Sequence, residues 1–269
     1  MELFGLKVGG LEEIMNLNFD ETLATNYKSF SQKVRVMSEC WFLENLFCPC
    51  CGNSCINKIK NNAPVADMYC QNCGEIFEIK SKKNHFGLKI MDGAYHTMIE
   101  RITSNTNPQL FIMNYSEQLS VTDLIFIPKF FFTPDIIEKR RPLSKNARRA
   151  GWVGCNILYK KIPEQGKIPI ISARKEIAAK DVLNSYNKIK NLQVDSLNLR
   201  GWMLDILNCI NDIKNEIFTL QEIYQYADVL KIKHSCNKNI NAKIRQQLQF
   251  LRDKGFIEFI GRGKYRKLI

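Results

Sequence analysis

The sequence predicts an α+β fold in which a mixed sheet flanked by helices occupies residues 1–196 and a smaller helical domain occupies residues 197–269. Three observations support this prediction. Several segments are rich in β-branched and aromatic residues, which is typical of strands. These segments are residues 109–115, 121–128 and 168–172. Residues 92–104 carry Ala94, Met98 and Ile102 at helical spacing. A polar stretch at residues 188–198 separates the two parts.

The composition indicates a partner that is a polyanion. The chain has 269 residues, with 39 Lys and Arg against 27 Asp and Glu, which gives a net charge of +12. A hydrophobic fraction of 45% excludes a mostly disordered protein. Since no apolar run reaches the ~18 residues of a spanning helix, a membrane protein is disfavoured. The first residues do not resemble an export signal, so we expect a cytoplasmic protein with reduced thiols.

Two Cys-x-x-Cys pairs separated by 18 residues have the spacing of a zinc ribbon. The four cysteines are Cys48, Cys51, Cys70 and Cys73. A site with four thiolates leaves no position for water, so the predicted zinc is structural. Gly52 and Gly74 follow the second cysteine of each pair and permit the positive φ that such turns require. The alternative is a set of free buried thiols, and either Cys50 or Cys55 could replace Cys51 as a ligand.

Three charged residues around the second cysteine pair form a candidate catalytic site. Residues 64–70 and 75–80 are predicted strands joined through that pair, so Asp67 can lie across from Glu78. Glu78 and Lys80 are two residues apart and share the exposed face of their strand. Two carboxylates can hold Mg²⁺, and a neighbouring lysine can orient or help deprotonate a water molecule. Such residues are also common on solvated surfaces, so the pattern alone is weak.

Residues 138–149 carry six positive side chains and one acid, which favours a loop that faces DNA over a merely solvated one. Arg148 and Arg149 lie at its end, and Trp152 follows. Trp152 could close the core.

The last 70 residues predict a winged helix. The first helix is expected at residues 201–214. The second begins at Phe218-Thr219-Leu220, with Thr219 as its cap, and the third is expected at residues 240–254. A hairpin at residues 256–268 follows the third helix. The third helix offers Lys243, Arg245, Gln246 and Gln249 to a DNA groove, and the hairpin offers Arg262 and Lys264. The alternative is a winged helix that contacts proteins.

Beyond these patterns, the chain resembles the DpnI-type restriction endonucleases of the PD-(D/E)xK nuclease class. The resemblance covers roughly residues 20–269. It rests on Tyr27-Lys-Ser-x-Ser-Gln-Lys33, the cysteine frame, Pro64-Val-Ala-Asp67, Phe77-Glu78-Ile-Lys80-Ser-Lys-Lys83, Asp92-Gly-Ala-Tyr95, Ala147-Arg-Arg-Ala-Gly-Trp152-Val-Gly-Cys-Asn156, Arg200-Gly-Trp202, and the C-terminal segments 243–248, 251–255 and 261–268. One departure is that the proline lies three positions before Asp67 rather than next to it. Residues 1–15 have no match and are assigned no role.

The resemblance implies a PD-(D/E)xK catalytic domain over residues 1–196 and a winged helix over residues 197–269. It assigns Asp67 and Glu78 to Mg²⁺ and Lys80 to catalysis, with Zn²⁺ as the structural metal. It implies cleavage of both DNA strands at GATC sites that carry N6-methyladenine. For such a site, the flat indole of Trp152 is a suitable surface for the methyl group, and the equal alternative is that Trp152 closes the core. We expect Lys82, Lys83 and the residues of the basic loop and the winged helix named above to contact this DNA. We also expect the protein to be monomeric. The rival hypothesis is a regulator that binds methylated DNA without cutting it.

Overall fold

A computed structural model describes residues 15–59 and 66–268 of the chain. Pro64 and the segment 1–14 lie outside the described residues. The described residues of the first part form three α-helices, α1 (Phe30–Asn45), α2 (Tyr95–Thr103) and α3 (Ala179–Ile189). Its strands are β1 (Ile56–Lys58), β2 (Met68–Cys70), β3 (Ile76–Lys83), β4 (Ile90–Ala94), β5 (Gln109–Tyr115), β6 (Val121–Ile127), β7 (Ile137–Lys139), β8 (Gly154–Ile157), β9 (Ile168–Ser172) and β10 (Lys175–Glu176).

Seven of these strands form one mixed sheet, in the order β1-β2-β3-β5-β6-β9-β10. Strands β3 and β5 are parallel, and the other neighbours in the sheet are antiparallel. The connection between β3 and β5 contains β4 and α2, as a parallel pair requires a crossover. Strand β4 pairs instead with β8, and β8 with β7, in a separate antiparallel sheet. Strand β3 of the large sheet and strand β4 of the second sheet lie close to each other, and Lys80 of β3 forms an ion pair with Asp92 of β4.

A row of aromatic side chains across the large sheet forms the centre of its core. Phe77 on β3, Phe111 on β5 and Phe126 on β6 are fully buried, with ring centroids 5.2–5.4 Å apart. Phe42 of α1 meets Phe111 edge to face at 4.5 Å, and Tyr186 of α3 contacts Phe126. Helices α1 and α3 therefore cover this face. Since side chains alternate along a strand, the neighbours of Phe77 on β3 point to the other face.

The C-terminal part contains four helices, α4 (Leu197–Asp212), α5 (Leu220–Tyr224), α6 (Ala227–Lys233) and α7 (Ile240–Asp253). Its three strands are β11 (Ile217–Thr219), β12 (Ile257–Gly261) and β13 (Lys264–Lys267), arranged in the order β11-β13-β12. Thr219 caps α5 as predicted, and Glu222 completes a reciprocal capping box. Gly255 follows α7 with a φ of +77°.

The α+β fold class is confirmed, and several predicted boundaries are corrected. Strands β5 and β9 match the prediction to the residue. The helix predicted at residues 92–104 begins only at Tyr95, because Asp92 and Ala94 belong to strand β4. The first C-terminal helix starts at Leu197 rather than at residue 201, and the second is divided into α5 and α6. Helices α1 and α3 were not predicted. No helix in the described part of the chain is long and apolar enough to cross a membrane.

Candidate active site and metal centre

Asp67, Glu78 and Lys80 meet at the β2–β3 hairpin. Met68 pairs with Phe77, so the antiparallel register places Asp67 across from Glu78. The backbone N–H of Asp67 donates to the carbonyl of Phe77, and the N–H of Ile79 donates to Oδ2 of Asp67, both at 2.9 Å. Lys80 Nζ lies 2.5 Å from Oε1 of Glu78. These hydrogen bonds fix two carboxylates and one amine at the same end of a hairpin.

The site is more buried than the alternation of residues on β3 predicts. The side chains of Glu78 and Lys80 are only 12% and 21% exposed. The reason is that the second sheet and α2 cover this face, so that Met98 and Ile157 lie beside Glu78. Long-range packing therefore turns a predicted solvated strand face into a largely buried one.

Burial controls the ionisation of these groups. It raises the pKa of Glu78 to about 7, because the opposing effect of Lys80 is smaller and the charges of Asp92 and Asp67 add to the rise. Burial likewise raises the pKa of Asp67, against the hydrogen bond from Ile79. For Lys80, burial alone lowers the pKa, but Glu78 and Asp92 outweigh it and raise the pKa above its usual value. Lys80 is therefore a cation at neutral pH and a hydrogen-bond donor.

Asp92 is a member of this cluster that sequence reasoning missed. Its Oδ1 lies 2.5 Å from Lys80 Nζ, and its side chain is 3% exposed. The signal was present in the segment Asp92-Gly-Ala-Tyr95, but the helical spacing of Met98 and Ile102 extended the predicted helix back over it. On strand β4, Asp92 instead pairs with Cys155 of β8.

A second group of charged residues that was not predicted lies beside Asp67. Glu39 of α1 is buried and forms ion pairs of 2.6 Å with Arg35 and Lys58. The guanidinium of Arg35 lies 3.8 Å from Oδ1 of Asp67. This oxygen thus faces a cation at the mouth of the site, whereas Oδ2 is held by the backbone. The prediction missed this group because it missed helix α1.

The four predicted cysteines form one cluster, with their sulfur atoms all within 4.8 Å of one another. The Cys48–Cys73 and Cys51–Cys70 sulfur pairs are each 3.6 Å apart. The glycines that follow each pair, Gly52 and Gly74, have φ values of +79° and +73°, as predicted. Among the described residues, Cys50 and Cys55 are not part of this cluster.

The cluster fits a tetrahedral zinc ion. Zn–S distances of about 2.3 Å place the sulfur atoms roughly 3.8 Å apart, close to the two measured separations. Burial raises the pKa of Cys70, but the backbone N–H groups of Cys73 and Asn72 outweigh it and lower the pKa to about 7. Cys48 follows α1 and Cys70 ends β2, so a metal here ties that helix to the hairpin that carries Asp67.

The basic loop extends from the β7–β8 hairpin of the second sheet. Arg148 and Arg149 are exposed, and Trp152 is half-buried rather than part of the core. The guanidinium of Arg149 lies 4.8 Å from the centroid of the Trp152 ring. A Cβ atom on Gly154 would lie 2.8 Å from two carbons of that ring, so only glycine permits this close approach. Gly154 pairs with Ala94 in the ladder that also holds Asp92.

The two lysines that follow the cluster on β3 point in different directions. Lys82 is exposed and shares the face of Glu78 and Lys80. Lys83 lies on the opposite face and forms an ion pair with Glu117. Lys82 therefore extends the candidate site, whereas Lys83 does not join it.

The predicted DNA-binding residues of the C-terminal part lie on helix α7 and on the β12–β13 turn. Arg245, Gln246, Gln249, Arg262 and Lys264 are exposed, and Lys243 is half-buried. Arg245 donates to the hydroxyl of Tyr224 at 2.6 Å, and Lys243 donates to Gln246 at 2.8 Å. The helix and the wing thus present polar and basic groups to solvent.

Sequence comparison identifies two matches that together cover nearly the whole chain. Residues 15–195 match the DpnI family, described as the Dam-replacing family, and residues 198–267 match the Dam-replacing HTH domain. The first match contains the cluster of Asp67, Glu78 and Lys80, the four cysteines and the basic loop. The second contains helix α7 and the wing.

Proposed function

Because the chain belongs to the Dam-replacing family of DpnI-type proteins, we propose that it is a methylation-dependent type II restriction endonuclease. Its substrate is double-stranded DNA with N6-methyladenine in GATC, and it cuts both strands with Mg²⁺. The observation that carries the proposal is the meeting of Asp67, Glu78 and Lys80 in one side-chain cluster. We place the catalytic domain in residues 1–196 and the DNA-binding winged helix in residues 197–269.

Asp67 and Glu78 are the residues that would hold Mg²⁺. Two carboxylates suit this hard cation, and Asp67 is close enough to Glu78 to raise its pKa. When bound, the ion neutralises charge on the phosphate and supplies a water molecule in a reactive form. In the hydrolysis, a water oxygen would form the bond to phosphorus and give up a proton to solvent water, while the bond from phosphorus to the leaving sugar oxygen breaks and that oxygen takes up a proton from solvent water.

Lys80 acts in this proposal as a fixed cation. Its ammonium group donates hydrogen bonds that orient the attacking water and stabilise the negative charge that develops on the phosphate. The surrounding burial strengthens both effects, because charges interact more strongly when water is excluded. Lys82, on the same strand face, extends the positive charge toward the DNA backbone.

Methyl recognition is assigned to the basic loop and to the winged helix. Arg148 and Arg149 attract phosphates, and the half-buried ring of Trp152 offers an apolar face to the N6-methyl group. Lys243, Arg245, Gln246, Arg262 and Lys264 provide a second reader, since glutamine can bind adenine edges and arginine can bind guanines or phosphates. Two readers of one site raise the preference for methylated DNA.

Zinc has a structural role in this proposal. Cys48, Cys51, Cys70 and Cys73 hold Zn²⁺, which fixes the hairpin of Asp67 and Glu78. The sulfur atoms fill a tetrahedral shell, so the zinc takes no part in the cleavage.

The test is digestion of one plasmid prepared from an adenine-methylating host and from a non-methylating host. We expect Mg²⁺-dependent fragments with ends at GATC from the methylated plasmid alone, and no fragments when EDTA replaces Mg²⁺. The rival is a regulator that binds methylated DNA without cutting it. Methylated DNA that is retarded in a gel but stays intact with Mg²⁺ would establish that rival.

A further inference from the structure

The amine of Lys80 is held between carboxylates from two different sheets. Nζ lies 2.5 Å from Oε1 of Glu78 on β3 and 2.5 Å from Oδ1 of Asp92 on β4. We infer that Asp92 is a positioning residue, which keeps the Lys80 amine in place when Glu78 turns to the catalytic metal. This inference rests on the nuclease function proposed above.

The buried carboxylate of Asp92 and the amine of Lys80 stabilise each other. Its side chain is 3% exposed, and Oδ1 accepts hydrogen bonds from both Lys80 and the N–H of Gly93. Oδ2 is buried without a hydrogen-bond partner in the described chain. Lys80 is also the one cation that forms an ion pair with Asp92 within the described ranges. Because a buried carboxylate without a cation is strongly disfavoured, Asp92 and Lys80 hold each other.

The backbone places Asp92 independently of Glu78. Asp92 pairs with Cys155 in the β4–β8 ladder, and the register shifts between Asp92 and Ala94 before helix α2 begins. Such an irregularity redirects the side chains on either side of it. Glu78 and Lys80 share one strand, whereas Asp92 approaches the amine from a separate sheet. A movement of Glu78 toward a metal therefore leaves the contact between Asp92 and Lys80 intact.

The two carboxylates consequently have different tasks. Glu78 is the group shared between Lys80 and Mg²⁺, two cations that repel each other. If Lys80 depended on Glu78 alone, metal binding would release its amine into a range of rotamers. Asp92 removes that freedom, so the amine stays oriented while the metal is bound. It acts through Lys80 and needs no contact with the DNA.

Wild-type protein provides the first test, through the ¹⁵N NMR signal of the Lys80 amine, assigned by its absence in Lys80→Met. We expect a slowly exchanging signal both without metal and after addition of Mg²⁺ alone. Loss of slow exchange on addition of Mg²⁺ would show that Glu78 was the group holding the amine and would overturn the inference. This measurement needs no variant at Asp92.

The second test is Asp92→Asn, which keeps the side-chain volume and the acceptor for Gly93. We expect the single-turnover cleavage rate to fall about tenfold to a hundredfold at saturating Mg²⁺, with DNA affinity unchanged. Recovery of the rate at high Mg²⁺ would make Asp92 a metal ligand instead, and an unchanged rate would also reject the inference. Asp123→Asn, which removes a carboxylate bound to the backbone of Ala173, is the matched control. Failure of wild-type protein to cut would reject the proposed function itself.

Discussion

The backbone N–H of Ile79 donates a hydrogen bond to Oδ2 of Asp67 at 2.9 Å. Ile79 lies between Glu78 and Lys80, so this bond ties the acid of one strand to the acid and the amine of the next. The other oxygen of Asp67, Oδ1, faces the guanidinium of Arg35 at a distance of 3.8 Å. The hydrogen bond thus orients the carboxylate while leaving one oxygen for a ligand.

Asp67→Asn should therefore preserve the hairpin and abolish cutting. The amide oxygen can still accept from Ile79, but the charge needed to hold Mg²⁺ is lost. A metal-ligand carboxylate contributes several kcal/mol to catalysis, so we expect a fall of about a thousandfold in the single-turnover rate on methylated DNA. Glu117→Gln is the control, because Glu117 pairs with Lys83 on the opposite face of β3. If the variant instead has a lower melting temperature than the wild type and keeps its activity, Asp67 is a structural residue.

Removal of zinc should unfold the N-terminal part of the chain. Structural zinc sites contribute apparent binding energies of ~10–16 kcal/mol, and here the cluster joins the end of α1 to the β2–β3 hairpin. We expect a chelator, or Cys70→Ser, to remove the thermal transition of residues 1–196 and with it all cleavage. Cys236→Ser is the control, since Cys236 is an exposed thiol outside the cluster. A melting curve that does not change on chelation contradicts the zinc assignment.

The elements that were predictable depend on local pattern. Strands β5 and β9 are short apolar runs of β-branched and aromatic residues, and their bounds follow from the sequence. The hairpin that gathers Asp67, Glu78 and Lys80 is also local, because only a knuckle separates its strands. Thr219 was predictable as a cap because its hydroxyl and Glu222 lie three residues apart.

The parts that were missed depend on contacts between distant segments. Asp92 enters the site because β4 pairs with β8, whose residue Cys155 lies far along the chain. Glu39 and Arg35 approach Asp67 only because α1 packs on the sheet. Periodicity describes the neighbours of a residue along the chain, so it carries no information on which strand will cover a face.

Trp152→Ala should weaken the preference for methylated DNA. Burial of one methyl group stabilises by about 0.8 kcal/mol, which is roughly fourfold in affinity for the one methyl group that a single Trp152 ring can contact. We expect the ratio of cleavage rates on methylated and unmethylated plasmid to fall by this order. Arg149→Gln should instead slow cleavage of both substrates and reduce the salt dependence of binding. An unchanged ratio in Trp152→Ala would place methyl recognition elsewhere.

Lys233 connects the C-terminal helices to the first part of the chain. Its amine lies 2.5 Å from Oδ2 of Asp135 and also pairs with Asp205 of α4. Burial raises the pKa of Asp135, but hydrogen bonds from Lys233 and Thr133 outweigh it and lower the pKa. Because its pKa is lowered in the folded protein, ionised Asp135 stabilises the fold at pH values above its ordinary pKa of 3.8. This stabilisation is lost as the pH falls through the folded pKa.

Lys233→Met should therefore uncouple the two parts at neutral pH. We expect calorimetry to separate the thermal transitions of the two parts further in the variant than in the wild type, and we expect the wild type to approach the variant only in acid below about pH 4. Lys231→Met is the control, because Lys231 is an exposed lysine of the same helix that forms no ion pair with the residues the structure describes. Identical traces for the two variants would show that this ion pair does not couple them.

Gln247 of α7 offers a way to stabilise the C-terminal domain without touching its DNA-binding surface. Its side chain is fully buried, and neither amide atom has a hydrogen-bond partner among the residues described. An unsatisfied buried amide costs about 1–3 kcal/mol, whereas methionine of similar shape has no such requirement. Gln247→Met should therefore raise the melting temperature of residues 197–269 by about 4–8 °C per kcal/mol gained.

The neighbouring residue supplies the matched control for this prediction. Gln246 is the exposed neighbour of Gln247 on the same helix, and its amide oxygen accepts from Lys243. Gln246→Met buries nothing and removes a group assigned to the DNA groove. It should leave the melting temperature unchanged and weaken binding of methylated DNA, whereas Gln247→Met should do the reverse. If Gln247→Met lowers the melting temperature, the buried amide has a partner that its replacement removes, and α7 depends on it.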